Sequence, residues 1–165
     1  KTLYLVRHAK SSWDDPGLDD FNRPLNERGK KDAPRMGKRL KEREVTADLM
    51  ISSPAKRAWR TCREIAKVLG YPDQKIRTEK ILYHAGEEAF LSVLKSIKEP
   101  NDSVMLFGHN PGLTEFANSV LNETIMNIPT TGVVAGKLNL DLWKDVKPGC
   151  GEMLFFDFPK KNRIE

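Results

Sequence analysis

Apolar residues in this chain come in runs too short for anything but strands, and each run stops abruptly. Thr2–Val6 (TLYLV), Asp48–Ile51, Ser103–Phe107 (SVMLF) and Met153–Phe156 are the length of buried strands. Val133–Leu140 is a longer, partly alternating strand in which Gly136 marks a bulge or a close approach. Helical periodicity fills the gaps. Ala33, Met36, Gly37 and Leu40 share one helical face, and Pro34 either places the start of that helix near Asp32 or kinks it. Ser53 and Pro54 read as the cap and first residue of a second helix, which Gly70 closes. Glu87–Ile97 and Pro111–Leu121 predict two more. Strands alternating with helices constrain the chain to an α/β layered domain with a mostly parallel sheet. The tail from Val133 to Phe158 has two strand-like runs and no helix between them, so it is expected to add an antiparallel edge.

The chain has 165 residues, a size that suits one domain, 1–165, with a core of its own. No apolar run approaches the ~18 residues of a bilayer span, so no membrane contact of that kind is expected. The first apolar run ends at Arg7-His8 after four residues, too short for a secretory leader, and a cytoplasmic location is expected. Cys62 and Cys150 lie far apart with no CxxC, which reads as two reduced thiols and not as a zinc site. The formal charge of +5 is uneven, because Arg23 to Arg43 holds nine Lys/Arg against three Asp/Glu, a net of +6. Charge alone fits a solvated helix face as well as an acidic partner, and no aromatic–basic motif of a nucleic-acid reader is present. Nothing in the sequence reports the oligomeric state.

The chemistry sits where the strands stop. The first ends in Arg7-His8. The second ends in Ser52-Ser53-Pro54, with Arg57 one helical turn on, and the third in Gly108-His109-Asn110-Pro111. Open α/β sheets bind ligands outside the carboxyl ends of their strands. A lone histidine is usually structural, but two of the three histidines stand in matching positions at strand ends. Guanidinium groups beside imidazoles suit a phosphoryl group, since arginine meets phosphate oxygens with a planar fork. Neighbouring cations also disfavour imidazolium, which leaves a ring nitrogen bare as a nucleophile at neutral pH. Other phosphate motifs are absent: there is no GxxxxGK[ST], no GxGxxG after a strand and no CxxxxxR loop. Asp14, Asp15, Asp19 and Asp20 form an acidic cluster broken by Pro16-Gly17, which reads as a solvated loop, so no metal is expected.

Leu5-Val6-Arg7-His8-Ala9-Lys10-Ser11-Ser12-Trp13 resembles the RHG motif of the histidine phosphatase (phosphoglycerate mutase-like) superfamily. Ser53-Pro54-x-x-Arg57-Ala58-x-x-Thr61 and Gly108-His109-Asn110 are similar to its second and third signatures, and Arg23-Pro24-Leu25-Asn26-x-x-Gly29 to the segment between. The small SixA-like branch, which acts on protein phosphohistidine, is the nearest in appearance. The resemblance implies a single-domain three-layer sandwich, with helices on both faces of the sheet. It implies a metal-independent phosphatase without a cofactor, whose substrate is a phosphorylated protein or a small phosphomonoester, with no role for nucleic acid. His8 would be the nucleophile that forms a phosphohistidine intermediate. Arg7, Arg57 and Arg23 would hold the phosphoryl oxygens, and His109 would stabilise charge in the transition state. There are departures: Ala9 replaces the Gly of the motif, and Asp14 stands where many relatives carry Asn, so it is expected to point to solvent. Mutase-like members use a Glu as general acid, and the candidates here are His84, Glu87 and Glu88. For both Glu the first turn of a helix is reason enough to be acidic. A phosphoramidate leaving group is easily protonated and needs no such acid. Two alternatives stand beside the phosphatase. One is a phosphomutase, which must exclude water, although only 46 residues separate Thr61 from Gly108 to build a lid. The other is a non-catalytic phosphoprotein-binding module, suggested by Ala9 and Asp14.

Overall fold

The computed structural model describes residues 1–161. Six strands form one sheet: β1 (Thr2–Arg7), β2 (Leu49–Ser52), β3 (Arg77–Thr78), β4 (Ser103–Gly108), β5 (Val133–Leu138) and β6 (Gly151–Asp157). Their order is β3-β2-β4-β1-β5-β6. The first four in that order run parallel, while β5 and β6 add the antiparallel edge expected of the tail. The register of β5 and β6 shifts at Ala135/Gly136, and a methyl on Gly136 would come within 2.4 Å of Leu121, so that glycine marks both a bulge and a close approach.

Four helices cover the sheet: α1 (Glu27–Glu42), α2 (Lys56–Leu69), α3 (Glu87–Lys95) and α4 (Gly112–Leu121). Alternation along the strands divides the core into two layers. Tyr4 and Val6 face Met36 and Leu40 of α1 and Cys62 and Ile65 of α2. Leu3 and Leu5 face the other way, toward Phe90 and Leu94 of α3 and Leu113 and Phe116 of α4. This is the three-layer, mostly parallel α/β sandwich of the phosphoglycerate mutase-like fold.

Two helix starts differ from expectation. α1 begins at Glu27, five residues before Asp32, because the Asn26 side chain accepts from the Gly29 amide (2.9 Å) and caps a polar first turn; Pro34 lies inside the helix. α2 begins at Lys56 behind Ala55. Ser53 does not cap it: its Oγ accepts from the Ala55 amide (3.2 Å) in a tight turn and turns toward the strand ends instead. Gly70 does close the helix, in a left-handed conformation (φ 78°). The basic stretch is partly internal as well, since Arg39 and Arg43 lie 3.1 and 3.6 Å from the buried carboxylate of Asp157.

What matters for function is that β2, β4 and β1 are neighbours and end level. Arg7 pairs with Gly108 and Ser52 with Phe107. The His8 amide then donates to the Gly108 carbonyl, and the Ser53 amide to the Phe107 carbonyl. Three loops therefore leave the sheet from one short stretch of its edge.

Candidate active site

His8, the residue after β1, is 8 % exposed. Its Nδ1 lies 2.8 Å from the Ala9 carbonyl oxygen, which can only accept, so the ring proton sits on Nδ1 and Nε2 is bare. Ala9 is itself pinned: its amide donates to Thr61 Oγ1, which donates to the Arg57 carbonyl (2.9 and 2.7 Å). Its methyl, the departure from the RHG motif, is buried against Leu25 and Ala33. His109, beyond the end of β4, stands with its ring centroid 5.1 Å from that of His8. Ser53 Oγ lies 2.8 Å from His109 Nε2. The hydroxyl can donate to Nε2, or accept from it with its second lone pair while it accepts from the Ala55 amide, so this contact fits either His109 tautomer. The Nδ1 of His109 is buried and has no hydrogen-bond partner among the described residues, and the same is true of Arg7 Nε and Thr131 Oγ1. Buried polar atoms without partners are uncommon, and where they converge they point to a ligand.

Three guanidinium groups surround the two rings. Arg7 donates from Nη1 to the Ile128 carbonyl (3.0 Å). Arg23 donates from Nε to the Ser12 carbonyl (3.1 Å), from Nη1 to Asp20 (2.8 Å) and from Nη2 to Ser11. Arg57 grips Asp20 twice, donating to its carbonyl (2.7 Å) and its carboxylate (3.0 Å). Tyr83 donates to the same carboxylate at 2.5 Å. Arg7, His8, Lys10, Arg23 and Arg57 line a hollow of about 210 Å³, with Trp13 at its edge.

Burial and charge act together on these groups. Burial pushes the His8 imidazole down to about 3, and Arg57, Arg7 and Arg23 push the same way. His109 is pushed down to about 3 by burial first, then by His8 and Arg57. Both rings are neutral at neutral pH. The Tyr83 hydroxyl and the two arginines hold the Asp20 carboxyl well below the usual carboxylate range, so it stays ionised.

The strand-end set His8, Arg7, Arg57 and His109 is thus brought together, and Arg23 joins it. Asp14 is exposed, as expected. Glu87 does not join: its carboxylate accepts from Ser119 on α4, well along that helix from His109. His84 is at the rim, with its ring 4.0 Å from that of Tyr83, and Glu88 is exposed. Asp20 is a correction to the reading of the acidic cluster as a solvated loop, since it holds two of the arginines. Its spacing of three from Arg23 was the one available sign. Thr131 also went unread. It holds a φ of 63°, rare for a β-branched residue, and its amide donates to the carbonyls of both Arg7 and His8. Among the described residues, no group of three or more His, Cys, Asp or Glu is placed to hold a metal ion. None of their helices is long and apolar enough to cross a membrane.

The model of the histidine phosphatase superfamily (branch 1) matches residues 3–83, which carry His8 and all three arginines of the cluster. The chain belongs to the histidine phosphatase superfamily. Within it, the chain is similar to structures of the SixA-like branch. A protein assigned as the phosphohistidine phosphatase SixA of Agrobacterium tumefaciens is 28 % identical, with a TM-score of 0.80 over 96 % of this chain and 97 % of that one. An uncharacterized chloroplastic protein of Arabidopsis thaliana is 30 % identical over 133 residues, 76 % of this chain and 61 % of its own length. A 2,3-bisphosphoglycerate-dependent phosphoglycerate mutase from Mesorhizobium japonicum is 34 % identical over 84 residues, half of this chain and 41 % of the mutase. The chain therefore spans less than two thirds of these two relatives. Phosphatases and mutases both occur in this histidine phosphatase family.

Proposed function

We propose that this histidine phosphatase is a hydrolase that needs no metal and works through a phosphohistidine on His8. Its substrate is protein phosphohistidine or another exposed phosphoryl group. The observation that carries this reading is the bare His8 Nε2 in a hollow that Arg7, Arg23 and Arg57 also line. A phosphoryl group placed there would meet all three guanidinium groups, which would share its charge. His8 Nε2 donates its electron pair to phosphorus while the bond to the leaving atom breaks. That atom keeps the bonding pair and takes a proton, from solvent where it is a basic nitrogen. The Ala9 carbonyl accepts from Nδ1 and so steadies the positive charge the phosphorylated ring acquires. Water then attacks phosphorus, the P–N bond breaks, and its electron pair returns to Nε2. Inorganic phosphate leaves carrying the water oxygen.

The hollow is open at its edge, where Trp13 is 75 % exposed, and this favours a phosphoryl group carried on a protein over a small metabolite that must be enclosed. The test is incubation with an aryl phosphate and a phosphohistidine protein in EDTA, with radiolabelled phosphoryl groups. Phosphate release with label trapped on His8 is expected, and His8→Ala should lower turnover by about 1,000-fold or more. Full activity in His8→Ala overturns the proposal. Transfer between positions of a substrate without net hydrolysis favours a mutase, and binding without turnover favours a phosphoprotein-binding module.

A further inference from the structure

Trp13 is the one Phe, Tyr or Trp among the described residues left largely open to solvent. The fold makes little use of it, since the residue is 75 % exposed on the loop after β1. Its position is nevertheless fixed, because the Arg23 guanidinium lies 3.2 Å from its ring centroid. Arg23 is in turn held by Ser11, Ser12 and Asp20. The ring borders the same hollow as His8. A second aromatic wall is tied to the first through Asp20. Tyr83 bonds that carboxylate and packs edge-on against Phe21 (5.1 Å) and beside His84. The cationic floor thus has the Trp13 ring on its border, while Tyr83 and His84 line a separate hollow with His109.

In-line displacement sets where the leaving group goes. It departs from the side of phosphorus opposite His8 Nε2, toward the open edge of the hollow. We propose that Trp13 is a specificity-determining residue that stacks against a flat, π-bonded leaving group, an imidazole or aryl ring joined directly to phosphorus through nitrogen or oxygen. This rests on the phosphatase reading of the site. An aliphatic leaving group, as in a phosphoserine or a glycerol phosphate, presents no face to the indole. A flat ring does, and it gains electron density as its bond to phosphorus breaks. The guanidinium over one indole face draws density from the ring, so a stack on the other face strengthens as the bond breaks. An interaction that grows toward the transition state raises kcat as well as affinity.

The experiment compares wild type, Trp13→Ala and Trp13→Phe. kcat/KM is measured for phosphoimidazole and phenyl phosphate against phosphoserine and glycerol phosphate. Binding of phenylphosphonate and methylphosphonate is measured by calorimetry. Trp13→Ala should lose roughly 3- to 10-fold on the ring compounds and change less than about twofold on the aliphatic ones, with Trp13→Phe recovering most of the loss. Phenylphosphonate should weaken in parallel while methylphosphonate holds. Equal loss on both classes would mean that Trp13 only braces Arg23 and would overturn the inference, as would no loss on either. The two readings fail separately. If nothing is turned over but the phenylphosphonate preference vanishes in Trp13→Ala, the stacking role stands and the phosphatase falls. Hydrolysis with unchanged selectivity removes only the role of Trp13.

Discussion

Acidification should unfold this protein through its two site histidines before it protonates them in the native state. His8 and His109 are each 8 % exposed and sit near 3 when folded, against an ordinary 6.5 when unfolded. A depressed native value means that the unfolded chain binds protons first. The stability linked to each ring is complete above 6.5 and is lost as pH falls toward 3. At about pH 5 the unfolded imidazole has almost fully titrated and the buried one has not, so the loss is about 2 kcal/mol per ring, or about 4 kcal/mol together. Because about pH 5 lies above the native value, the size of the loss is set by the unfolded value alone. That is a large share of the ~5–15 kcal/mol of an ordinary domain. Urea unfolding at about pH 8 and about pH 5 gives the drop for wild type, His8→Gln and His109→Gln. Carboxylate effects are common to all three, so each variant should lose about 2 kcal/mol less than wild type across the interval. An identical drop in all three, or a native imidazole titrating near 6.5 by NMR, would refute the reasoning. The same neutrality leaves His8 able to attack throughout this range. An acid limb in activity above about pH 5 therefore belongs to the substrate phosphate or to unfolding.

Two further outcomes follow from particular contacts. Asp20→Asn keeps the shape but removes the charge that Arg23 and Arg57 share, and it should lower kcat/KM by about 10-fold or more through misplaced arginines, with little change in urea midpoint because the carboxylate is half exposed; unchanged kinetics would count against the clamp. Gly29→Ala puts a methyl 2.2 Å from the Lys10 carbonyl oxygen, where α1 crosses the loop after β1, and should cost about 2–3 kcal/mol in urea unfolding. Gly70→Ala meets no neighbour and pays only for its left-handed backbone, about 1 kcal/mol, so a Gly29→Ala loss no larger than that would sink the packing argument.

How much of this was legible in the sequence depended on how far apart the partners lie. Strand ends were readable because these apolar runs stop next to the residues that gather in the cluster, as at Val6-Arg7-His8 and Phe107-Gly108-His109. The Ser53-Pro54 signal located a helix two residues too early, and it gave no sign that Ser53 meets His109, 56 positions away. Asp20 looked like one of four solvated carboxylates because its partners Arg57 and Tyr83 are 37 and 63 positions off. The start of α1 was hidden by a polar first turn, where Gly29 and Asp32 are buried without being apolar. Glu87 was a plausible acid by composition, and only its pairing with Ser119 shows where the carboxylate points.

The segment from Ile128 to Thr131 has a consequence for how the site comes into being. It takes a hydrogen bond from Arg7 through the Ile128 carbonyl and caps the Arg7 and His8 carbonyls through the Thr131 amide. It leads into β5, one flank of β1, while β4 forms the other. Of the six strands β1 leaves the ribosome first, yet its neighbours begin only at Ser103 and Val133. His8 thus follows a strand whose first partner strand begins only 95 residues after it. Flanking β1 on both sides and fixing His8 are therefore one event, which couples the site to the most distant contacts along the chain.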